Sequence, residues 1–287
     1  MNLNFEEVRL SLPHIELAAH IYGPADGIPV IALHGWLDNA ASFARLAPLL
    51  PDLRIAAVDL PGHGHSDHRP KGSSYAIWDY AHDVLQVAEQ LGWQRFALLG
   101  HSMGAIVSVF VAAAAPDRVS RLALIDGLIP NTAEAEEAPQ KLHEALQARL
   151  ALAGKKKPVY AQIDRAIEAR MRGVGAVSRE AAELLAQRGL MPVPGGYTWR
   201  ADSQLTLPSP MRFTRAHAMA FVRSLKCPAK LVLAEQGMMH AQPGIHAVLA
   251  DLPVTVEQLP GGHHLHLDDE QGAALVAGCF KAFLNAP

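Results

Sequence analysis

Phe96-Ala97-Leu98-Leu99-Gly100-His101-Ser102-Met103-Gly104, with the alanine- and valine-rich run Ala105 to Ala115 behind it, decides how this chain is read. A short, unbroken apolar run predicts a strand buried on both faces. The run after Gly104 predicts a buried helix, and Gly-x-Ser-x-Gly is the turn between them. Two glycines remove side chains where a strand-to-helix turn this sharp would collide, leaving the Ser102 hydroxyl raised at the apex. A raised serine becomes a nucleophile only if the chain also supplies a base and an acid.

Composition sets the frame for that search. The chain has 287 residues, half of them hydrophobic and 18% charged, as in an ordinary globular protein large enough for one core with an insertion. A formal charge of -3 speaks against a general nucleic-acid role, and the one basic cluster, Lys155-Lys156-Lys157, reads as a solvated loop. Cys227 and Cys279 are too few for a disulfide framework, which fits a reducing compartment. The N-terminus, Met1 to Glu7, lacks the basic and apolar regions of a signal peptide. The most apolar window, Phe96 to Ala115, is interrupted by Gly-His-Ser-Met-Gly, so a membrane span is not expected. The expected location is the cytoplasm. Nothing in the sequence signals an oligomeric state.

Working outward, Glu6 to Leu12 and Ile15 to Tyr22 alternate in polarity around Pro13 and predict an antiparallel hairpin. Pro29 to Leu33, Arg54 to Val58 and Val119 to Ile125 are further short apolar strands. Helical spacing runs from Ala40 to Leu50 and from Tyr75 to Leu91, where Gly92 stops it. Strands alternating with helices predict an α/β fold with a mostly parallel sheet covered on both faces, whose ligand crevice lies at the carboxyl ends of the strands. Trp36, Ser102 and Asp126 all fall at such ends. After Pro130 the pattern becomes helical without strands: Ala133 to Leu152, Val159 to Arg172, Ser178 to Arg188, then a loop or short extended piece from Met191 to Arg200, and a helix from Arg215 to Leu225. Strands resume at Lys230 to Ala234 and Val254 to Leu259, and Glu270 to Leu284 closes the chain. This divides it into a core of residues 1–127 and 226–287 and an inserted helical lid of residues 128–225.

The base is read from Gly261-Gly262-His263-His264-Leu265-His266-Leu267-Asp268, which follows the last strand. His263, directly after the glycines, is the candidate general base. Three histidines in four residues also suit a metal, but no Cys or paired carboxylates stand at ligand spacing, so no metal is expected. His266 reads as a packing residue and Asp268 as a carboxylate that fixes the loop. For the acid there are two candidates. Asp126 ends the strand after the serine's helix and falls between serine and histidine in chain order; Glu235 ends the next strand.

With these stretches in hand, the chain resembles an α/β-hydrolase over essentially its whole length. The resemblance rests on His34-Gly35-Trp36, Asp59-Leu60-Pro61-Gly62-His63-Gly64-His65-Ser66, Gly100-His101-Ser102-Met103-Gly104 and Gly262-His263. His34 to Phe43 and Leu124-Ile125-Asp126-Gly127 are similar, more narrowly, to the serine-hydrolase-like (kraken-type) subgroup. The resemblance implies an eight-stranded, mostly parallel sheet with helices on both faces and a helical lid. It implies Ser102 as nucleophile, His263 as base, and an oxyanion hole from the backbone N–H groups of Trp36 and Met103. Many members carry the acid as Gly-Glu-x-Asp. Here that segment is Ala234-Glu235-Gln236-Gly237, with Gly237 where the Asp would stand. Some relatives carry the acid one strand earlier, which favours Asp126 and leaves Glu235 as the fallback.

A serine rather than an aspartate at the apex argues against haloalkane dehalogenase or epoxide hydrolase chemistry on this fold. The expected activity is that of a cofactor-free serine hydrolase, an esterase for small to medium apolar esters, with a small-molecule acyl substrate. The alternatives are a carbon–carbon bond hydrolase with the same triad, or a ligand-binding or signalling protein on a hydrolase fold. Tyr197, Trp199 and Phe213 are the expected apolar pocket residues of the lid. Arg200, Arg212 and Arg215 would suit a phosphate or carboxylate, although solvated arginines are the commoner case.

Overall fold

Period-two burial within short strands builds the sheet, and β5 illustrates it: Leu98 faces one apolar layer and Leu99 the other. The structure, a computed structural model, describes residues 5–152, 154, 156–242 and 244–286. Its elements in chain order are β1 (Glu6–Ser11), β2 (Glu16–Tyr22), β3 (Ile28–Leu33), β4 (Leu53–Val58), α1 (Asp79–Gln90), β5 (Phe96–His101), α2 (Met103–Ala114) and β6 (Val119–Ile125). An insertion follows, with α3 (Ala138–Leu152), α4 (Ile163–Met171), α5 (Arg179–Gly189), β7 (Leu190–Val193), β8 (Gly196–Trp199) and α6 (Arg215–Arg223). The chain ends with β9 (Ala229–Gln236), α7 (Ile245–Ala250), β10 (Thr255–Gly262), α8 (Leu265–Asp268) and α9 (Glu270–Asn285).

Eight strands form one sheet in the order β1-β2-β4-β3-β5-β6-β9-β10. β2 pairs antiparallel with β1 and β4, and the remaining pairs are parallel. The strand order reverses about β3, whose neighbours are β4 on one side and β5 on the other. That switch point opens a crevice at the carboxyl ends of β3 and β5, where Trp36 and Ser102 stand. One sheet face packs against α1, α2 and α6 through Val84, Val107, Val109 and Val222. The other packs against α9 and the turn at Phe43 through Leu99, Val232, Val276 and Phe280.

Three local expectations change. Residues 40–50 form two 3-10 turns, Ala40–Phe43 and Ala47–Leu49, instead of one helix. Their backbone donors are taken elsewhere: Asp59 accepts the Ala40 N–H at 2.7 Å, Asn39 accepts that of Ala41 at 3.0 Å, and Pro48 has none to give. α1 starts only at Asp79, because Tyr75 is held outside the helix by donating its hydroxyl to Asp202 at 2.8 Å. Residues 190–199 close as the hairpin β7–β8, extended by paired backbone bonds between Tyr160 and Tyr197. The basic triplet is also not a solvated loop throughout. Lys155 lies outside the described residues, as does the Met1–Asn4 part of the N-terminal reading. Lys157 is half-buried, donates to the Trp199 and Arg200 carbonyls, and burial pulls its ammonium below the usual lysine value. Both cysteines are free. Among the described residues no helix is long and apolar enough to cross a membrane.

The insertion is fastened to the core by a buried cation. Arg188, near the end of α5, reaches the end of β4, where its Nε donates to both Asp59 oxygens at 3.0 and 2.8 Å. Its Nη1 donates to Glu7 at 2.7 Å and to the Nε2 of His20 at 2.6 Å. Burial, aided by Arg188, holds His20 neutral with a pKa near 4, which suits it as an acceptor. Asp59 is fully buried, so removing Arg188 strands a carboxylate in the core. Arg188→Met is therefore expected to lower stability by about 3–5 kcal/mol, read as a fall in the urea midpoint.

Candidate active site

Ser102 is the residue between β5 and α2, held at φ 51° and ψ -115°, a conformation that costs a non-glycine residue energy and persists only under surrounding constraint. The constraint is close packing. A Cβ at Gly104 would lie 2.0 Å from the Leu33 carbonyl oxygen, so α2 begins pressed against β3 and the turn has no slack. The Ser102 N–H donates to the Ile125 carbonyl at 2.9 Å, which pins the apex to the end of β6.

β6 ends in Asp126, also at positive φ (42°), with its N–H bonded to Val232 at 2.9 Å. β10 ends at Gly262 and delivers His263 to the same point. The His263 Nε2 lies 2.9 Å from the Ser102 Oγ, and its Nδ1 lies 2.5 Å from the Asp126 Oδ2. Beside a carboxylate the Nδ1 carries the proton, which leaves Nε2 to accept from the serine hydroxyl. Asp126 also accepts the Met238 N–H at 3.0 Å. Glu235 stands exposed at the end of β9. Gly237 leaves room for this carboxylate: a Cβ there would lie 2.4 Å from the Asp126 oxygen. The carboxylate from β6 fills the space that a side chain at position 237 would need.

Above Ser102 lies a cavity of about 480 Å³, walled chiefly by apolar side chains that include Trp36, Trp78, Met103, Ile106, Leu207 and Phe213. Met103 opens α2, so its N–H is one of the helix's unpaired first-turn donors. No acceptor for the Trp36 N–H is found among the described residues. Of the three aromatic residues expected to line this site, only Phe213 does so. Tyr197 is occupied in the hairpin pairing with Tyr160, and Trp199 packs over Gly189 and lines a different cavity. Both sit on the insertion's own small sheet, which turns their side chains away from Ser102. Arg212 lines the cavity rather than the outer surface.

Beside the catalytic-looking trio lies a buried cluster that the sequence reading did not anticipate. Asp38 is bound by the Arg170 guanidinium at 2.7 Å and by the His264 Nε2 at 3.0 Å. Burial alone would raise the Asp38 carboxyl, but His264, Arg170 and His101 hold it well below the usual carboxylate range. His101 donates from Nε2 to the His263 carbonyl at 2.9 Å, fixing the backbone of the residue that faces Ser102. Ligand atoms of Asp38, His101 and His264 lie within 4.8 Å of one another. Arg170 already sits among them, 3.2 Å from the His264 Nε2, and a fixed cation opposes a metal ion there. The available signal was Asp38 itself, two residues after Trp36, since an acid that becomes buried requires partners. Asp268, expected to brace its own loop, instead accepts the Ser178 N–H at 2.7 Å and so joins that loop to the start of α5.

A family model described as alpha/beta hydrolase fold matches residues 28–153. The chain is 32% identical to a serine hydrolase-like protein of Danio rerio, over 94% of this chain and 86% of that one. It is 34% identical to a probable serine hydrolase of Drosophila melanogaster, over 92% and 84% of the two chains. A crystal structure of a hypothetical protein from Pseudomonas aeruginosa PAO1 superimposes with a TM-score of 0.96 at 70% identity, covering 98% of this chain and 100% of that one.

Two outcomes follow from this geometry. A strongly downfield proton resonance on His263 Nδ1 is expected for the wild type and for Glu235→Gln, and its loss for Asp126→Asn. Gly237→Ala should also abolish it, since the added Cβ displaces the carboxylate. The second concerns acid. Burial, aided by His264, takes His266 down to about 3, and burial, aided by His34, takes His63 to about 3. These imidazoles protonate near 6.5 when unfolded, so the unfolded state binds more protons between pH 6.5 and about 3 and stability falls as pH falls through that window. Each contributes a slope of about 1.4 kcal/mol per pH unit there. His266→Phe should flatten the pH dependence of the urea midpoint by one proton's worth between pH 6.5 and 4.

Proposed function

The chain belongs to the serine hydrolase-like family of α/β-hydrolases, and from that premise we propose that it hydrolyses small to medium apolar esters through Ser102, His263 and Asp126. The observation that carries the reading is the pair of contacts from one imidazole, 2.9 Å to the serine oxygen and 2.5 Å to the carboxylate. As Ser102 attacks the ester carbonyl, its proton passes to His263 Nε2. Asp126 keeps the imidazole in the accepting tautomer and stabilises the imidazolium that forms. The negative oxygen of the tetrahedral intermediate faces the N–H groups of Trp36 and Met103, where each donor is worth about 3–4 kcal/mol of barrier. His263 returns the proton to the departing alkoxide, leaving an acyl-serine. A water, deprotonated by the same nitrogen, then releases the acid and restores Ser102.

Residues 128–225 act in this reading as a cap over the carboxyl end of the sheet. Leu205, Leu207 and Phe213 of the cap and Trp36, Trp78 and Ile106 of the core face the same cavity, which favours an aliphatic or aromatic acyl group over a charged one. No cofactor is required for the steps described.

Turnover of p-nitrophenyl butyrate tests the reading. Ser102→Ala should lower kcat by about 10⁴-fold or more, and Asp126→Asn by about 10⁴-fold. Glu235→Gln should remain within about twofold, as expected of an exposed side chain outside the reacting groups. A folded wild-type protein that neither turns over the ester nor is labelled at Ser102 by a fluorophosphonate would sink the proposal.

A further inference from the structure

A second cavity, about 410 Å³, lies next to the one that holds Ser102. Its lining includes Pro158, Ala169, Trp199 and Ala201, with the half-buried Lys157 among them. The two cavities share two lining residues, Trp36 and Val174. Trp36 belongs to the core, directly after β3; Val174 follows α4 in the insertion. The partition is thus built jointly by the sheet and by the segment that covers it.

The indole is positioned as a wall rather than as buried packing. It keeps 36% of its surface exposed while lining the cavity that holds Ser102. Its Nε1 donates to the Leu205 carbonyl at 2.9 Å, the one polar tie on the ring among the described residues. The chain turns sharply at Leu37, which takes positive φ (63°) and lines the second cavity, while Asp38 after it lines the first. A third, smaller cavity of about 180 Å³ also ends on Trp36.

We propose that the cavity beyond Trp36 is a second apolar subsite for a straight aliphatic chain, and that the indole shuts it off from Ser102 and thereby limits the length of acyl chain the site accepts. The proposal deepens the esterase reading and rests on it for the identity of the chain. The backbone N–H of Trp36 and its indole would then do different work. The N–H serves the reacting oxygen, whereas the ring measures the chain that leads away from it. Substitution of the ring leaves the N–H in place, so chain length and chemistry can be separated.

The test uses binding, so it reads whether or not the protein turns over esters. Straight-chain carboxylic acids from butanoic to hexadecanoic acid are titrated calorimetrically into Ser102→Ala. Affinity should rise by about fourfold per added methylene up to a limiting length and then stay flat. Adding Trp36→Ala should move that limit several carbons upward. Adding Ala201→Phe as well, which fills the second cavity without touching the first, should return the limit to its original place. An unchanged limit in Trp36→Ala overturns the proposal. So does an extension that survives Ala201→Phe, or affinity that never depends on chain length. Circular dichroism monitors folding, and Trp36→Leu carries the same test should the alanine variant not fold. Wild-type turnover of p-nitrophenyl butyrate reports separately on the esterase reading.

Discussion

The contact between Gly104 and the Leu33 carbonyl governs the geometry of the crevice. With no room for a Cβ between them, α2 must start hard against β3, and the chain can make that approach only by turning through a strained residue. That residue is Ser102, whose hydroxyl is thereby raised at the switch point of the sheet. Met103, whose N–H is the first unpaired donor of α2, and Trp36 line the same cavity as Ser102. The raised hydroxyl is therefore a consequence of one packing constraint, which no surface loop could hold as firmly.

Asp126 and Gly237 show how two neighbouring strands share one space. Asp126 and position 237 follow the carboxyl ends of adjacent parallel strands, β6 and β9, and the Asp126 carboxylate that contacts His263 Nδ1 lies against Gly237. The two cannot be filled together, because a Cβ at 237 falls within the Asp126 carboxylate. The glycine at 237 is therefore what leaves room for the Asp126 carboxylate. Two backbone donors, from Ala234 and Met238, hold that carboxylate in place.

What could be read from the sequence was whatever depends on local chemistry. Alternating short apolar runs predicted the sheet, Gly-x-Ser-x-Gly predicted the turn, and Gly237, standing where the resembled family's usual Asp would be, favoured Asp126 over Glu235. Residues whose position depends on how the insertion folds were not legible. Tyr197 and Trp199 are aromatic and close in sequence to Phe213, yet both belong to the β7–β8 hairpin and neither lines the cavity above Ser102; Trp199 lines a different one. Arg188 and Arg170 fall within predicted helical stretches, and nothing in the neighbouring sequence marks either one. Their partners, Asp59 and Asp38, lie more than a hundred residues away, and only the tertiary structure brings them together. The residues 40–50 missed as a helix failed for a related reason, since Asp59 draws away a backbone donor that local periodicity assigns to the helix.

Those long-range ion pairs also bear on the chemistry. Asp38 and Arg170 bring a fixed negative and a fixed positive charge close to His263, yet His101 and His266 beside it are kept neutral by burial. His101 is held well below the ordinary histidine value, and His266 at about 3. Neutral imidazoles donate and accept without gaining a proton near neutral pH, so His101 can fix the His263 backbone without competing for the serine's proton. Arg170 comes from α4 in the insertion and also binds the Gly175 carbonyl at 3.1 Å, beside the His263 ring. Docking of the insertion therefore sets the electrostatic surroundings of His263 as well as the walls of the cavity, and a shift of α4 would alter both at once.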